Sequence, residues 1–336
     1  MAGSVFATIE NPPFFCESPA MIDPLTEVVT LLQPGARYSK YVRGASPWAI
    51  SRTVAGEPFY CAILDGGCRI AIDGHAPIEL LPGDFMLIPA AQGVAMSSLE
   101  PPAPGVETAP PVALDHGEYR IGDAANPVDT RMMAGNCSFG SPDASLLVSL
   151  LPQFVHVRGE PRLTTLVQLV RDESRAQRPA REIVLARLLE VLLIEALRFT
   201  SGTNASPGLV RGLADSRLAA AIRRMHERPA HPWTVVELAK EAALSRSTFF
   251  DRFSRAVGVA PMEYLLTWRM ALAKDLLRRN EGRIAEIAGR VGYSSASTFS
   301  VAFTRHVGRP PAQYARDEQA TTNDARMAGA GASGSA

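Results

Sequence analysis

The sequence of 336 residues predicts an α+β protein of two domains, an N-terminal β-barrel ending in two helices and a C-terminal all-α domain. Three observations predict this fold. Short apolar runs separated by turn signals fill residues 48–88, the apolar spacing becomes helical after residue 150, and the net charge changes sign near residue 207. The length also exceeds what one hydrophobic core usually serves.

The N-terminal sequence predicts, in order, a tail, a short helix and a set of strands. Residues 1–20 are rich in proline and are predicted to be flexible, and a helix is expected from Pro24. Runs at 48–52, 59–64, 68–72 and 85–88, separated by Gly- and Pro-containing turns, are typical of a barrel or sandwich. The turn at Gly66 and Gly67 predicts a hairpin in which Cys61 and Cys68 do not face each other. The Pro-rich stretch 101–112 is interpreted as an exposed loop.

Two helices are predicted to close this domain, at about 161–177 and at 181–199. The second helix carries apolar residues on almost every side, so packing along only one face would leave many of them in water. It either threads the core of its domain or lies between two subunits, and we favour a homodimer formed through 181–199. Residues 201–210 have the composition of a linker. The segment 21–200 is therefore predicted to be one domain, with sensing and dimerisation as its roles.

The zero net charge of the whole chain is a cancellation between its parts. Residues 207–316 carry a net charge of +9, residues 1–206 carry −7, and residues 317–336, predicted to be a disordered tail, carry −2. A basic block beside an acidic one is typical of one domain that meets nucleic acid, although an uneven surface without a partner gives the same count. No segment resembles a membrane span or a secretory signal, so we expect a cytoplasmic chain without a membrane partner.

The first of two similar helical units covers residues 233–258. Thr234 is predicted to cap one helix, with Glu237 completing a capping box. Ser245 is predicted to cap the next helix, which buries Phe249 and Phe253. Two short helices joined by a tight turn with this apolar spacing indicate a helix-turn-helix.

The pattern returns about 50 residues later, over residues 283–316. Ile287 and Ala288 repeat the inward positions of the first helix, and Phe299 and Phe303 repeat those of the second. A long helix over 261–279 joins the two units at a fixed separation. Each second helix could then enter a major groove on one face of a DNA duplex, about 34 Å apart.

At this point the sequence resembles the AraC/XylS family of bacterial transcription regulators, over residues 211–316. The resemblance is carried by the first unit, by 285–288 (AEIA), by Val291-Gly292-Tyr293 and by the closing segment 308–316 (GRPPAQYAR). Two helix-turn-helix patterns in tandem with such a closing segment are highly specific. The resemblance implies binding to double-stranded DNA next to promoters and control of transcription initiation, with RNA polymerase as a further candidate partner.

The candidate DNA-binding residues occupy the exposed parts of the two second helices. They are Arg246, Ser247, Thr248, Asp251 and Arg252 in the first unit, and Ser295, Ser297, Thr298, Val301 and Arg305 in the second. By resemblance, Ser247, Asp251, Ser297 and Val301 stand where family members often contact bases. An aspartate can accept a hydrogen bond from cytosine N4, and a valine can pack on a thymine methyl group.

The arginines of these units are predicted to contact phosphates, which positions a protein on DNA without reading its sequence. They are Arg246, Arg252, Arg255, Arg290 and Arg305. Each could instead be a solvated charge. The aromatic residues of both units lie at core spacing, so we expect them to be buried and not to stack on bases.

Residues 66–93 and 137–199 resemble the cupin barrel found in a subset of this family. Many cupins bind a metal through histidines, but here those places hold Phe59-Tyr60 and approximately Val94. His75 and His116 have no partner at ligand spacing. We therefore expect no metal, no cofactor and no enzymatic activity, and a metal-dependent cupin enzyme is a remote alternative. A barrel without metal can still hold a small molecule.

Two functional hypotheses stay open. The favoured one is a sequence-specific transcription regulator whose barrel senses a small-molecule effector and modulates DNA binding or activation. The alternative is a redox-responsive regulator that uses a thiol of Cys16, Cys61, Cys68 or Cys137. The sequence names neither the effector nor the operator, and it does not separate activation from repression.

Overall fold

The computed structural model describes residues 23–320 except 53–55, 92, 104, 107–108, 115–117, 141–143, 177 and 200–206. The predicted flexible segment 1–20 with Cys16, the histidine at 116 and the end of the predicted tail, 321–336, lie outside the described residues.

The N-terminal domain begins with α1 (Pro24–Leu32) and is built on two facing sheets. Its strands are β1 (Pro34–Ala45), β2 (Ala49–Arg52), β3 (Glu57–Asp65), β4 (Cys68–Ile72), β5 (Ile78–Leu80), β6 (Asp84–Ala91), β7 (Val94–Ser98), β8 (Val112–Ala113), β9 (Glu118–Gly122), β10 (Thr130–Phe139) and β11 (Val155–Arg158). The larger sheet has the order β11-β6-β3-β10-β1-β9-β8 and the smaller one β2-β7-β4-β5. This barrel-like arrangement confirms the predicted β-rich first domain.

The predicted hairpin at Gly66 and Gly67 is wrong. β3 pairs with β10 and β6, whereas β4 pairs with β5 and β7 in the other sheet. Gly66 adopts φ +71°, and a Cβ there would lie 1.9 Å from the Asp129 carbonyl oxygen, so the chain crosses between the sheets where only glycine fits. As a result, Cys61 and Cys68 both lie in the apolar cluster between the sheets.

Three helices complete this domain: α2 (Ala144–Val148), α3 (Pro161–Arg175) and α4 (Arg181–Phe199). α3 ends two residues before the predicted bound. α4 packs on α3 and on the larger sheet through one face, which includes Leu189, Leu192 and Ala196. Its other face leaves Ile183, Val184 and Val191 exposed. The helix therefore covers the sheet and does not thread the core.

The C-terminal domain consists of helices only within the described residues. They are α5 (Leu209–Ala214), α6 (Ser216–Glu227), α7 (Val235–Glu241), α8 (Arg246–Val257), α9 (Pro261–Arg278), α10 (Ile284–Arg290), α11 (Ala296–Val307) and α12 (residues 311–320). Within them, no helix combines the length and apolar character needed to cross a membrane.

Two predicted boundaries need correction. The segment 201–210 is not a linker throughout, because α5 begins at Leu209, whose N–H donates to the Leu150 carbonyl at 2.7 Å. The tail predicted from residue 317 is helical through residue 320. Arg309 explains this extension, because its guanidinium binds Asp317 at 3.0 Å and Glu318 at 3.1 Å.

The apolar interior divides in a way that crosses the domain boundary. One buried cluster runs from α1, α3 and α4 into the first helix-turn-helix unit, whereas the second unit has a separate core around Phe299 and Phe303. The first unit is thus packed as a continuation of the N-terminal domain.

Candidate nucleic-acid interface

The first helix-turn-helix unit comprises α7 and α8, and its caps are the predicted ones. Thr234 Oγ1 accepts from the Glu237 N–H at 3.2 Å, and Glu237 Oε2 accepts from the Thr234 N–H at 2.8 Å. Ser245 Oγ accepts from the Thr248 N–H at 3.2 Å. Gly258 ends α8 with φ 90°. These bonds satisfy helix-end groups that would otherwise lack partners, and they fix where each helix begins.

The second unit, α10 and α11, repeats this construction. Glu286 Oε2 accepts from the Arg283 N–H at 2.8 Å, and Ser295 Oγ accepts from the Thr298 N–H at 3.1 Å. Gly308 ends α11 with φ 86°. Four aromatic residues predicted to lie in the core are fully buried, Phe249, Phe253, Phe299 and Phe303, whereas Tyr293 is only partly buried.

All ten predicted DNA-binding residues are exposed to solvent. They are Arg246, Ser247, Thr248, Asp251 and Arg252 at the start of α8, and Ser295, Ser297, Thr298, Val301 and Arg305 at or along α11. Val301 is 72% exposed. Exposure is the condition for contact with DNA, and the contacts themselves stay predictions.

Local hydrogen bonds divide these residues into engaged and available groups. The hydroxyls of Ser297 and Thr298 lie 2.9 Å from Ser295 Oγ, so they are turned toward the cap. Arg252 binds Asp215, the cap of α6, at 2.8 Å. A phosphate would therefore compete with Asp215 for Arg252, which weakens its assignment as a phosphate contact.

Phe250 is a feature that the sequence analysis missed. It is 43% exposed and lies beside Ser247 and Asp251 on the outer face of α8. An exposed aromatic ring at this place offers an apolar surface for a thymine methyl group or a deoxyribose. The sequence did contain a signal for this exposure, because Phe250 directly follows the buried Phe249 and adjacent residues of a helix point in different directions.

Arg269 was also missed, and it connects the two units. From α9 its Nε donates to the Pro229 carbonyl at 2.8 Å and its Nη2 to the His231 carbonyl at 2.7 Å, just before the first unit. A Cβ on Gly292, in the turn of the second unit, would lie 2.8 Å from the same guanidinium. Arg269 thus contacts both the segment that leads into the first unit and the turn of the second unit.

The barrel domain contains a cavity of about 840 Å³ that is partly open to solvent. Phe59 lines it, and Val94 is buried in the adjoining core, so the places where many cupins hold metal-binding histidines are apolar here. His75 lies outside, with Nε2 2.8 Å from Gln153 Oε1. Among the described residues, no group of three or more His, Cys, Asp or Glu side chains is arranged to hold a metal.

The three described cysteines are poor candidates for a reactive thiol. Burial raises the pKa of the Cys68 thiol and of the Cys137 thiol to about 12. It also raises the pKa of Cys61 well above its usual value. Since the thiolate is the reactive form, burial and the raised pKa both disfavour reaction of these side chains at neutral pH.

Tandem helix-turn-helix units with exposed polar second helices, carried behind a β-barrel, define a two-domain DNA-binding regulator of transcription. Profile comparisons agree, because residues 23–200 match a family described as "Cupin" and residues 238–317 match one described as "Helix-turn-helix domain".

The chain is 35% identical to an AraC-like transcription regulator of Streptomyces lividans, over 87% of this chain and 98% of that protein. It is 27% identical to the HTH-type transcriptional regulator AlkR of Acinetobacter baylyi, over 82% and 92% of the two chains. A solved structure of the AdpA DNA-binding domain with a target DNA shares 33% identity over 31% of this chain and 93% of that one, with a TM-score of 0.30. The chain belongs to the AraC family of transcription regulators.

Proposed function

We propose that this regulator is controlled by a small molecule held in its barrel, which changes how the two helix-turn-helix units are presented to DNA. The cavity supports this proposal, because its volume is typical of a small-molecule site. The cavity lies against the cluster between the two sheets, and β3 and β10 connect it to the core shared with the first unit, because Phe59 and Met132 face the cavity while their neighbours Tyr60 and Met133 lie in that shared core. These strands give occupancy a physical route to the DNA-binding surface. In this proposal, residues 21–200 sense the ligand and dimerise, and residues 211–316 bind DNA.

For DNA recognition we assign some side chains to base contacts and others to phosphate contacts. Ser247, Asp251, Ser297 and Val301 read base edges, for which the Ser297 hydroxyl turns away from Ser295, and the exposed Arg246 and Arg305 bind phosphates. Phosphate binding releases counterions, so affinity falls as salt rises, with a slope of about −0.9 per phosphate neutralised. RNA polymerase is the partner that activation would require. No chemical reaction is assigned to the chain.

The test is a fluorescence-anisotropy titration of the full chain with labelled DNA from upstream of its own gene, repeated at several salt concentrations. A steep salt slope and a preference over shuffled DNA of equal composition are expected. Weak binding that does not respond to salt would contradict DNA recognition. A thermal-shift screen of small metabolites against the same protein tests sensing separately, since ligands that bind only the folded state raise its melting temperature.

We also propose that the chain forms a homodimer through α4. The apolar side chains Ile183, Val184 and Val191 lie exposed on its outer face, and an apolar face of this kind on a helix suits a symmetric contact. A double variant, Val184→Glu with Val191→Glu, is expected to yield monomers in light scattering coupled to size-exclusion chromatography. Val112→Glu, at another exposed apolar residue, is the matched control and should stay dimeric. Monomeric wild-type protein at high concentration would contradict the dimer.

A further inference from the structure

The linking helix α9 contributes to the apolar cores of both helix-turn-helix units. Tyr264 and Trp268 belong to the core that the first unit shares with the N-terminal domain, whereas Leu276 and Leu277 belong to the separate core of the second unit. Both cores therefore meet on one helix. The contacts that hold α9 in place also set how the two units lie relative to each other.

The N-terminal domain reaches α9 through the short helix α2, which also packs on α1 and on strand β6. Among the described residues, Leu146 of α2 is the one partly buried apolar side chain that packs against both the shared core and the core of the second unit. This leucine therefore lies where the barrel domain, α9 and the second unit come together.

Hydrogen bonds hold the carboxyl end of α2 in place. The Ser149 hydroxyl donates to the Leu146 carbonyl at 2.6 Å, and the Leu150 N–H donates to the Leu147 carbonyl at 3.0 Å. The Leu150 carbonyl in turn accepts from the N–H of Leu209, the first residue of α5. Because these bonds connect α2 to its own domain and to the DNA-binding domain, the helix is a firm support for α9.

Strand β6, on which α2 packs, lies beside the wall of the barrel cavity. β6 pairs with β3 through Ile88 and Phe59, and Phe59 lines the cavity. One strand therefore separates α2 from the cavity wall. Contiguous packed elements of this kind carry energetic coupling between distant sites.

We propose that Leu146 is a positioning residue for DNA binding, which holds α9 so that α8 and α11 meet one face of a duplex together; this rests on the proposed recognition of DNA by both units. Close-packed side chains fix the place of their neighbours, so truncation of Leu146 would leave space in which α9 can shift. The N-terminal domain thus helps to set the separation of the two units, in addition to α9 itself.

The test measures how well the full chain tolerates a changed spacing between the two DNA segments that it contacts. A site is selected from random DNA, footprinted, and lengthened by one base pair midway between the protected segments, which turns one segment by about 35° relative to the other. In anisotropy titrations the wild type is expected to lose about 100-fold in affinity on insertion, because its two units no longer bind together, whereas Leu146→Ala loses about tenfold.

A general loss of stability does not mimic this result, because a smaller folded fraction lowers the apparent affinity for both DNAs alike and leaves their ratio unchanged. Leu146→Met keeps the side-chain volume and should restore the wild-type ratio. Leu166→Ala, at a half-buried leucine of α3 that packs on the shared core alone, is the matched control and should also keep that ratio. Leu146→Val takes the place of Leu146→Ala if the latter does not fold, and its ratio should be intermediate.

The outcomes separate this proposal from two-unit recognition itself. The same ratio in the wild type and in the truncated variant would overturn the role of Leu146 and leave recognition by both units intact. A wild type that tolerates the insertion would contradict two-unit recognition, and with it this proposal. A ratio lowered equally in Leu166→Ala would assign the effect to general loosening of the N-terminal domain and would also overturn the role of Leu146.

Discussion

The imidazole Nδ1 of His226, on α6 of the DNA-binding domain, lies 2.5 Å from Oε2 of Glu27, on α1 of the barrel domain. Nε2 of the same ring lies 2.7 Å from the Tyr264 hydroxyl, and the ring stacks on Trp268 with centroids 4.0 Å apart. Because the Glu27 carboxylate can only accept, Nδ1–H donates to it, and Nε2 of the neutral ring then accepts from the Tyr264 hydroxyl. Burial raises the pKa of that hydroxyl, which therefore keeps its proton.

This arrangement predicts that acid loosens the contact between the domains. Burial lowers the pKa of His226 in the folded chain, and the carboxylates of Glu27 and Asp23 oppose this shift only in part. A depressed histidine pKa leaves stability intact above the unfolded value of about 6.5 and reduces it as the pH falls below that value. We expect the melting temperature to fall between pH 7.5 and pH 5.5, and to fall less in His226→Gln.

His231→Gln is the control for that experiment, because this histidine is partly exposed on the surface. Its pH dependence should match that of the wild type. An identical fall in all three proteins would show that His226 does not titrate in this range.

Removal of the Glu27 carboxylate should weaken the same contact at neutral pH. Glu27→Ala leaves the buried Nδ1–H of His226 without an acceptor, which costs about 1–3 kcal/mol. We expect a lower melting temperature together with faster protease cleavage between the domains. Glu100→Ala, at an exposed glutamate, should change neither. Unchanged cleavage in Glu27→Ala would indicate that other contacts, such as the Leu209–Leu150 hydrogen bond, hold the domains together.

The sequence predicted best what depends on near neighbours. The caps at Thr234 and Ser245 each require a bond to a residue three positions on, so their pattern is visible in the sequence. The buried Phe249 and Phe299 follow from helical spacing alone. Both helix-turn-helix units, and with them the family, were therefore predictable.

What escaped prediction depends on residues far apart in the sequence. At Gly66 the chain passes from the larger sheet to the smaller one, and this passage depends on the close approach of the backbone at Asp129. A glycine turn in the sequence does not distinguish such a passage from a hairpin. The contact between Glu27 and His226 joins residues 199 positions apart. The role of Arg269 depends on carbonyl groups about 40 positions upstream. Each of these requires the folded chain.

Base reading by α8 and α11 predicts distinct effects for three substitutions. Asp251→Ala should lower discrimination at one C·G pair by about 1–3 kcal/mol, because the acceptor for cytosine N4 is lost. Val301→Ala should relax preference at one T·A pair. Arg305→Ala should weaken binding to all sequences alike and reduce the salt slope by about 1. Anisotropy with a panel of single-base variants of the bound DNA measures all three.

Arg171→Ala, on α3, serves as the control for that panel, because its removal changes net charge at a distance from the reading helices. A uniform loss of affinity in Asp251→Ala, with discrimination unchanged, would remove Asp251 from the base contacts.

Arg269 predicts a coupling between the two units. Arg269→Met removes two charge-assisted hydrogen bonds to carbonyl groups, each worth about 1.5–3 kcal/mol, and with them the support between the units. We expect the variant to lose more affinity for DNA long enough to contact both units than for DNA shortened to the half-site of one unit. Arg269→Lys retains the charge but provides a different donor geometry, so its effect should be intermediate. Equal losses on long and short DNA would mean that α9 alone sets the spacing.

Thiol chemistry offers a last prediction, which separates a ligand-controlled regulator from a redox-controlled one. Cys61, Cys68 and Cys137 are buried and their pKa values are raised, so an aromatic disulfide reagent should leave them unmodified in the native chain and react with them only in denaturant. A Cys16→Ser variant should then show no reactive thiol and should keep full DNA affinity after mild oxidant. Loss of DNA binding in that variant on oxidation, reversed by a thiol reductant, would instead favour a redox switch at one of the buried cysteines.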